Sequence, residues 1–256
     1  MFRMRQLTAL LASALVILGL PTATIASQAD MDAELSNYRA VFEADDFADH
    51  RKAMDRLIWA GYSDAALFDL IEVRVNSLIN EKGKANVQKA SWYAKALALS
   101  GNEKYRATLQ NAVSNAKSKK VRKHAALALQ RLATYQKWNS IISAGLEFAP
   151  SGQLEETRVT NMLNATDYSL LKIGVKRVYY GHKTDQKLVT LAQQRLAMEW
   201  GEADEQNGEQ IDAIAWLIKT MAEVGNHDAK PLLEQIAQQA DVAKLRKYAD
   251  KYADYL

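Results

Sequence analysis

The stretch "KSKKVRKHAALALQRL", from Lys117 to Leu132, holds five basic residues in its first seven positions and then turns into an apolar helix pattern. Such a run can attract nucleic acid, anionic lipid or another polyanion. Lysines at a helix N-terminus oppose the helix dipole, so helix propensity alone does not place them there. Lys120, Arg122 and Lys123 recur later in the chain as Lys244, Arg246 and Lys247, whereas Lys117 and Lys119 do not recur. A basic patch peculiar to this stretch therefore reduces to Lys117 and Lys119.

Other residue types with chemical capacity fall into simpler settings. The tryptophans are Trp59, Trp92, Trp138, Trp200 and Trp216. A row of them can stack bases or grip a peptide. Trp92 and Trp216 sit inside apolar helical stretches, which points to core between helices. Trp138 follows a lysine and is the better surface candidate, although its setting still favours burial. The histidines His50, His124, His182 and His227 show no metal-ligand spacing. The acidic runs "EADDFAD" (Glu43–Asp49) and "EADEQNGE" (Glu202–Glu209) lack the glycine-centred pattern of a calcium loop. The first is expected at a helix start, where acids suit the positive end of the dipole; the second reads as a solvated loop. No nucleophile elbow, phosphate loop or dinucleotide fingerprint occurs. We expect no catalytic residue, no metal and no cofactor.

Composition narrows the class further. There is no Cys, which excludes disulfides and thiolate chemistry. Gly (11) and Pro (3) are scarce, so helices with short connections are favoured over hairpins. Residues 1–29 read as a secretory signal, with Arg3 and Arg5 as the basic region and Leu7–Leu20 as the apolar run. That run is shorter than the roughly 20 residues of a spanning helix. Pro21 ends it, and Thr24/Ala26 or Ser27/Ala29 supplies the small residues of a cleavage site. The expected location is periplasmic or secreted, with an N-terminal anchor in the inner membrane as the alternative. No stable membrane insertion is expected beyond this segment. Without Arg3 and Arg5, the 33 basic residues fall to 31 against 30 acidic ones, so global charge supports no nucleic-acid partner.

The chain repeats itself. Trp92–Leu132 aligns with Trp216–Leu256 without a gap, at a shift of 124, with twelve of 41 positions identical. A weaker copy pairs Asp45–Val75 with Thr166–Leu196 at a shift of 121, matching Asp46, Arg56, Asp64, Leu67, Leu70 and Arg74 to their later equivalents. The reading is a first half over 30–132, an inter-half helical segment or loop over 133–165, and a second half over 166–256. Gln88–Leu99 and Glu103–Ala116 have helical spacing, Gly101-Asn102 stops the first of them, and a third helix begins near Ser118. Asn226 or Asp228 can cap the corresponding later helix, with Pro231 in its first turn. Helices of this length with short turns suit stacked helix pairs.

"VRKHAALALQRL" (Val121–Leu132) resembles the first helix of HEAT-like repeats, and "AKALALSGNEKYRATLQNAV" (Ala94–Val113) resembles that unit running into its second helix. "GYSDAALFDLIEVRV" and "HKTDQKLVTLAQQRL" look like the same turn and second helix, in the manner of the phycobilin-lyase HEAT-like class. The resemblance implies an all-α solenoid of stacked helix pairs in two similar halves. It also implies that Arg122 and Arg246 each meet an acid of the neighbouring repeat. The second helices would form a concave binding row, with Arg106, Gln110, Gln193, Glu234 and Gln238 as contact candidates. The expected function is an exported scaffold or adaptor that binds another macromolecule, a protein by preference, without catalysis. The alternatives are a lyase-type enzyme with a carboxylate-lined cleft and a structural envelope component acting by oligomerisation.

Overall fold

The computed structural model describes residues 22–256, with side chains from Ser27 onward. The proposed signal features Arg3, Arg5 and Leu7–Leu20 lie outside the described residues. Among the described residues the chain is all-helical, with no strand. The first half contains α1 (Thr22–Glu43), α2 (Phe47–Leu57), α3 (Ala65–Leu78), α4 (Lys84–Ala98), α5 (Arg106–Asn115) and α6 (Lys119–Ile142). The second contains α7 (Leu154–Leu163), α8 (Tyr168–Gly181), α9 (Gln186–Glu199), α10 (Gly208–Glu223), α11 (Lys230–Gln239) and α12 (Ala243–Ala253). Helix α1 runs through both candidate cleavage sites, and the Ser27 hydroxyl within it is buried and donates to the carbonyl of Leu146.

Successive helices pack as hairpins, and the hairpins stack into a solenoid-like fold of two rows. Within each half the even-numbered helices neighbour one another (α2, α4, α6 and α8, α10, α12) and the odd-numbered helices lie on the other side, with α1, α3 and α5 adjacent and α7 beside α9; between the halves α7 packs on α1 and α6. Apolar residues at helical spacing explain the stacking. Leu67, Phe68, Ile71 and Val75 give α3 one fully buried stripe, and Ile214, Leu217, Ile218 and Met221 do the same for α10. Each half has its own core, and Ile58 and Trp138 pack against both.

The repeat shows in atomic detail. Asp46 and Asp167 cap α2 and α8, accepting from Ala48 N (2.7 Å) and Leu170 N (2.9 Å) respectively. Asp64 and Asp185 cap α3 and α9 in the same way. Arg74 donates to Ala44 O at 2.9 Å, and Arg195 donates to Ala165 O at 3.0 Å, which is the same bond 121 residues along. The acids of "EADDFAD" thus serve a helix start, as expected. Gly101 takes φ +60° after α4, and a Cβ there would lie 2.4 Å from Gln136 N. The glycine therefore ends one helix and also admits the backbone of α6.

Several expectations need correction. Arg122 meets no acid; its Nη1 donates to Ala116 O (2.6 Å) and Lys117 O (3.2 Å). Arg246 does the same with Ala240 O and Asp241 O. Each guanidinium caps the C-terminal end of the preceding helix, where carbonyls without helical partners and the negative end of the dipole favour a cation. Asn226 does not cap α11, because its amide donates instead to Gln193 Oε1 at 2.9 Å. The region after Leu132 is less irregular than the sequence suggests. Helix α6 continues unbroken to Ile142, and only 143–153 separates it from α7.

Candidate functional site

The even row carries the features that most resemble a binding face. Trp92 on α4 and Trp216 on α10 occupy one repeat position. Core burial was the expectation for both, but each is only half-buried, with its inner part packed on the core of its half. The residue one turn on is a lysine in both copies, and it folds back over the ring. Lys95 Nζ lies 5.1 Å from the Trp92 centroid, and Lys219 Nζ lies 4.7 Å from that of Trp216. A lysine three positions after a tryptophan shares its helix face, so the sequence fixes this pairing and burial of the neighbouring stripe turns it outward.

In the first half these residues border a groove of about 300 Å³ between α2, α4 and α6. Ile58, Trp92, Leu127 and Tyr135 form its apolar wall, and Lys95, His124 and Arg131 add positive or titratable groups against Asp55. His124 Nδ1 is buried and without a hydrogen-bond partner. Burial first, then the nearby Lys95, Lys120 and Lys123, holds its imidazole below the usual range. His124 is therefore neutral at pH 7. It is half-buried, like Tyr248 at the equivalent position of the later copy.

In the second half the face is broader and more basic. Tyr179 packs edge-on against Trp216, with centroids 5.5 Å apart and an interplanar angle of 90°. Tyr180, which is 67% exposed, packs edge-on against Tyr179. Tyr248, Tyr252 and Tyr255 continue the aromatic series along α12 and just beyond it. Lysines cover several of these rings. Lys176 lies 4.5 Å from the Trp216 centroid, and Lys219 also lies 4.6 Å from that of Tyr179. Lys251 lies 5.4 Å from the Tyr252 centroid.

A separate cleft of about 390 Å³ opens between α1, α2 and α7. It brings Glu34 and Glu155, 121 residues apart and both outside the aligned copies, to one lining. Both carboxylates are already engaged. Glu34 accepts from Tyr62 Oη at 2.8 Å and lies 2.9 Å from Nη2 of Arg158, whose side chain is only 2% exposed. Glu155 accepts from Arg177 and from His182, the latter at 3.0 Å. Burial alone would raise the Glu155 carboxyl, but these two donors outweigh it and hold the group below the usual range. A carboxyl held ionised in this way is poorly suited to donate a proton at neutral pH. Arg177 also stacks 4.1 Å from the Trp59 centroid, so the cleft wall is braced across the two halves by this contact and by the Glu34–Arg158 ion pair.

The residues singled out from sequence are dispersed. Arg106 and Gln110 lie on α5, Gln193 on α9, and Glu234 and Gln238 on α11, all in the odd row. Arg106 is paired with Glu103, and Gln193 holds Asn226. Gln110, Glu234 and Gln238 are exposed. None of the five lines the grooves described above. Lys117 and Lys119 are exposed on either side of the α6 start. Trp138 is half-buried and ties the halves together, its Nε1 donating to Asp167 Oδ2 at 2.9 Å. His50 is fully buried, with Nε2 between Val41 O (2.8 Å) and Ala44 O (3.0 Å) and Nδ1 facing Tyr93 Oη. The carbonyls require the proton on Nε2, so His50 is a structural link.

Sequence reasoning did not single out this half-exposed face because it treated Trp92 and Trp216 as core. The usable signal was the Trp-x-x-Lys spacing shared by Trp92–Lys95 and Trp216–Lys219. Among the described residues no cluster of His, Asp and Glu is arranged to hold a metal ion, and no helix is long and apolar enough to cross a membrane. The chain matches no protein-family model and no curated protein.

Proposed function

We propose that this chain is an exported HEAT-like scaffold or adaptor that binds another protein through its even helix row and carries out no catalysis. The observation that carries this reading is the Trp–Lys pair, set half-exposed at the same repeat position in both halves. Half-buried aromatics on a rigid helix array supply contact area at little entropic cost, which suits an interface anchor. A stacked-pair architecture offers an extended face for such contacts. The signal-like features at Arg3, Arg5 and Leu7–Leu20 support export, with a periplasmic or secreted location.

Site-specific photo-crosslinking in cells tests the reading. A crosslinker at Leu127 or Tyr180 on the even row is expected to capture one recurrent protein partner, and a crosslinker at Gln110 or Gln238 on the odd row is not. Capture confined to the odd-row positions would move the interface to the opposite row. Capture at neither row would refute the scaffold reading.

The carboxylate-lined cleft favours the enzymatic alternative to a limited degree, because it does bring Glu34 and Glu155 together. Their engagement by Arg158 and Arg177 supports a bracing role instead.

A further inference from the structure

We infer that the face formed by α8, α10 and α12 binds an acidic polypeptide segment whose carboxylates bridge its lysines; the inference rests on the scaffold reading above. The first observation is the concentration of charge. Residues 166–256 hold twelve basic and fourteen acidic residues, so this half is acidic as a whole. Yet its even-row face gathers lysines. Lys172, Lys176 and Lys219 lie on α8 and α10, Lys244, Lys247 and Lys251 on α12, and Lys183 lies just past α8. Two carboxylates pair with them directly, while Asp204 and Glu209 border the hollow beside Lys244. Asp212 stands between Lys172 (3.7 Å) and Lys244 (2.9 Å), and Glu223 takes Lys183 and Tyr179. Lys176, Lys219, Lys247 and Lys251 have no carboxylate partner among the described residues. Lysines held together without counter-charges repel one another, and an anionic partner relieves that repulsion.

The second observation selects the kind of anion. A nucleobase needs an open ring face on which to stack. Here Trp216 is covered by Lys176 and Lys219, and Tyr179 by Lys219 and Lys183. Around Tyr179 the rings meet edge to face, at 90° for Tyr179–Trp216 and 79° for Tyr179–Tyr180, which does not produce a stacking ladder there; on α12 the pairs Tyr248–Tyr252 and Tyr252–Tyr255 are tilted, at 31° and 38°. What the Trp216–Tyr179 cluster leaves available is a set of ammonium groups, phenolic hydroxyls and electropositive ring edges, with the exposed rings of Tyr180 and Tyr255 beside it. These suit carboxylates borne on a chain that also has apolar side chains to cover the rings. The groove between α10 and α12, bordered by Trp216, Lys219, Lys244, Tyr248 and Tyr252, offers a path for such a segment; its one carboxylate, Asp212, is already taken by Lys244 and Lys172.

The test uses the purified full chain and three probes at physiological salt: fluorescein-labelled oligoglutamate, an oligothymidylate of equal charge, and phosphatidylglycerol vesicles. Oligoglutamate is expected to bind saturably and more tightly than either other probe. The double variant Lys176→Glu/Lys219→Glu is expected to weaken that binding by about tenfold or more. The milder Lys176→Gln/Lys219→Gln pair guards against misfolding and should weaken it by a smaller factor. Lys117→Ala/Lys119→Ala serves as the control for basic charge elsewhere. Tighter binding of the oligonucleotide or the vesicles would overturn the inference, as would equal binding of oligoglutamate by wild type and by both double variants. If oligoglutamate fails to bind while even-row crosslinking still captures a protein, the acidic-partner inference falls and the scaffold reading stands.

Discussion

Lys219 lies over the Trp216 ring at 4.7 Å, and 124 residues earlier Lys95 stands in the same relation to Trp92 at 5.1 Å. The pairing is local, since i and i+3 share a helix face. Its outward aspect is not local, because it depends on which stripe of α4 and α10 the neighbouring helices bury. The surroundings then diverge. The first copy faces an apolar groove with His124, and the second faces Tyr179, Tyr248 and further lysines. One template thus supplies two surfaces of different polarity on one row.

The two arginine caps are expected to matter equally. Arg122→Ala or Arg246→Ala removes a charged donor from the C-terminal carbonyls of α5 or α11. Each should lower stability by about 1–2 kcal/mol, with partial rescue by Lys. Urea unfolding of both single variants and the double variant checks this; additive losses are expected because the two sites lie in different halves.

Gly101 and Gly225 separate backbone strain from close packing. Both take positive φ, +60° and +63°, but a Cβ at Gly101 meets the Gln136 backbone while one at Gly225 meets nothing within 4 Å. Gly225→Ala is expected to cost about 1–2 kcal/mol from the left-handed conformation alone. Gly101→Ala should cost about 3 kcal/mol or more, because α6 must shift. Thermal melts of the two variants give the comparison directly.

The Arg158–Glu34 pair joins α7 to α1 across the seam between the halves. Arg158→Ala strands a partly buried carboxylate and is expected to cost about 3–5 kcal/mol. Replacing both residues, Arg158→Met with Glu34→Leu, should recover most of that loss. A double variant as unstable as the single would show that the ion pair itself, and not the stranded charge, sets the cost.

Acid sensitivity should be traceable to Glu155. Its carboxyl is held low in the folded protein by Arg177 and His182, against the opposing effect of burial. The unfolded chain therefore takes up a proton at higher pH than the folded one does. The stabilisation is present in full above the usual carboxylate range, near pH 4.3, and is lost as pH falls through the lowered folded value. Glu155→Gln is expected to flatten the fall of stability with pH in that window, as measured by urea midpoints at successive pH values.

Much of the architecture was legible in the sequence. The scarcity of glycine and proline pointed to helices. The repeats at shifts of 124 and 121 predicted equivalences that the structure expresses as paired caps, Asp46 with Asp167 and Asp64 with Asp185. Gly101 was readable as a helix stop, but its second role, the close approach of Gln136, was not, because that contact links residues 35 positions apart. The partners of Arg122 and Arg246 were misjudged for a related reason. A repeated arginine shows that some anion or carbonyl is nearby, and only the turn geometry before α6 and α12 decides which.

The sequence by itself therefore determined the helical class and the duplication, and the helix stop at Gly101, since these are read from composition, internal alignment and residue spacing within a turn or two. Tertiary structure alone decided which side of each helix stays open: it leaves Gln110, Glu234 and Gln238 exposed on the odd side, as well as the half-exposed Trp92–Lys95 and Trp216–Lys219 pairs on the even side on which the proposed face rests. Exposure follows from the packing of non-neighbouring helices, and no local pattern encodes it. The same packing brought Glu34 and Glu155 into one cleft and paired them with Arg158 and Arg177, each of which lies on a different helix from the acid it meets.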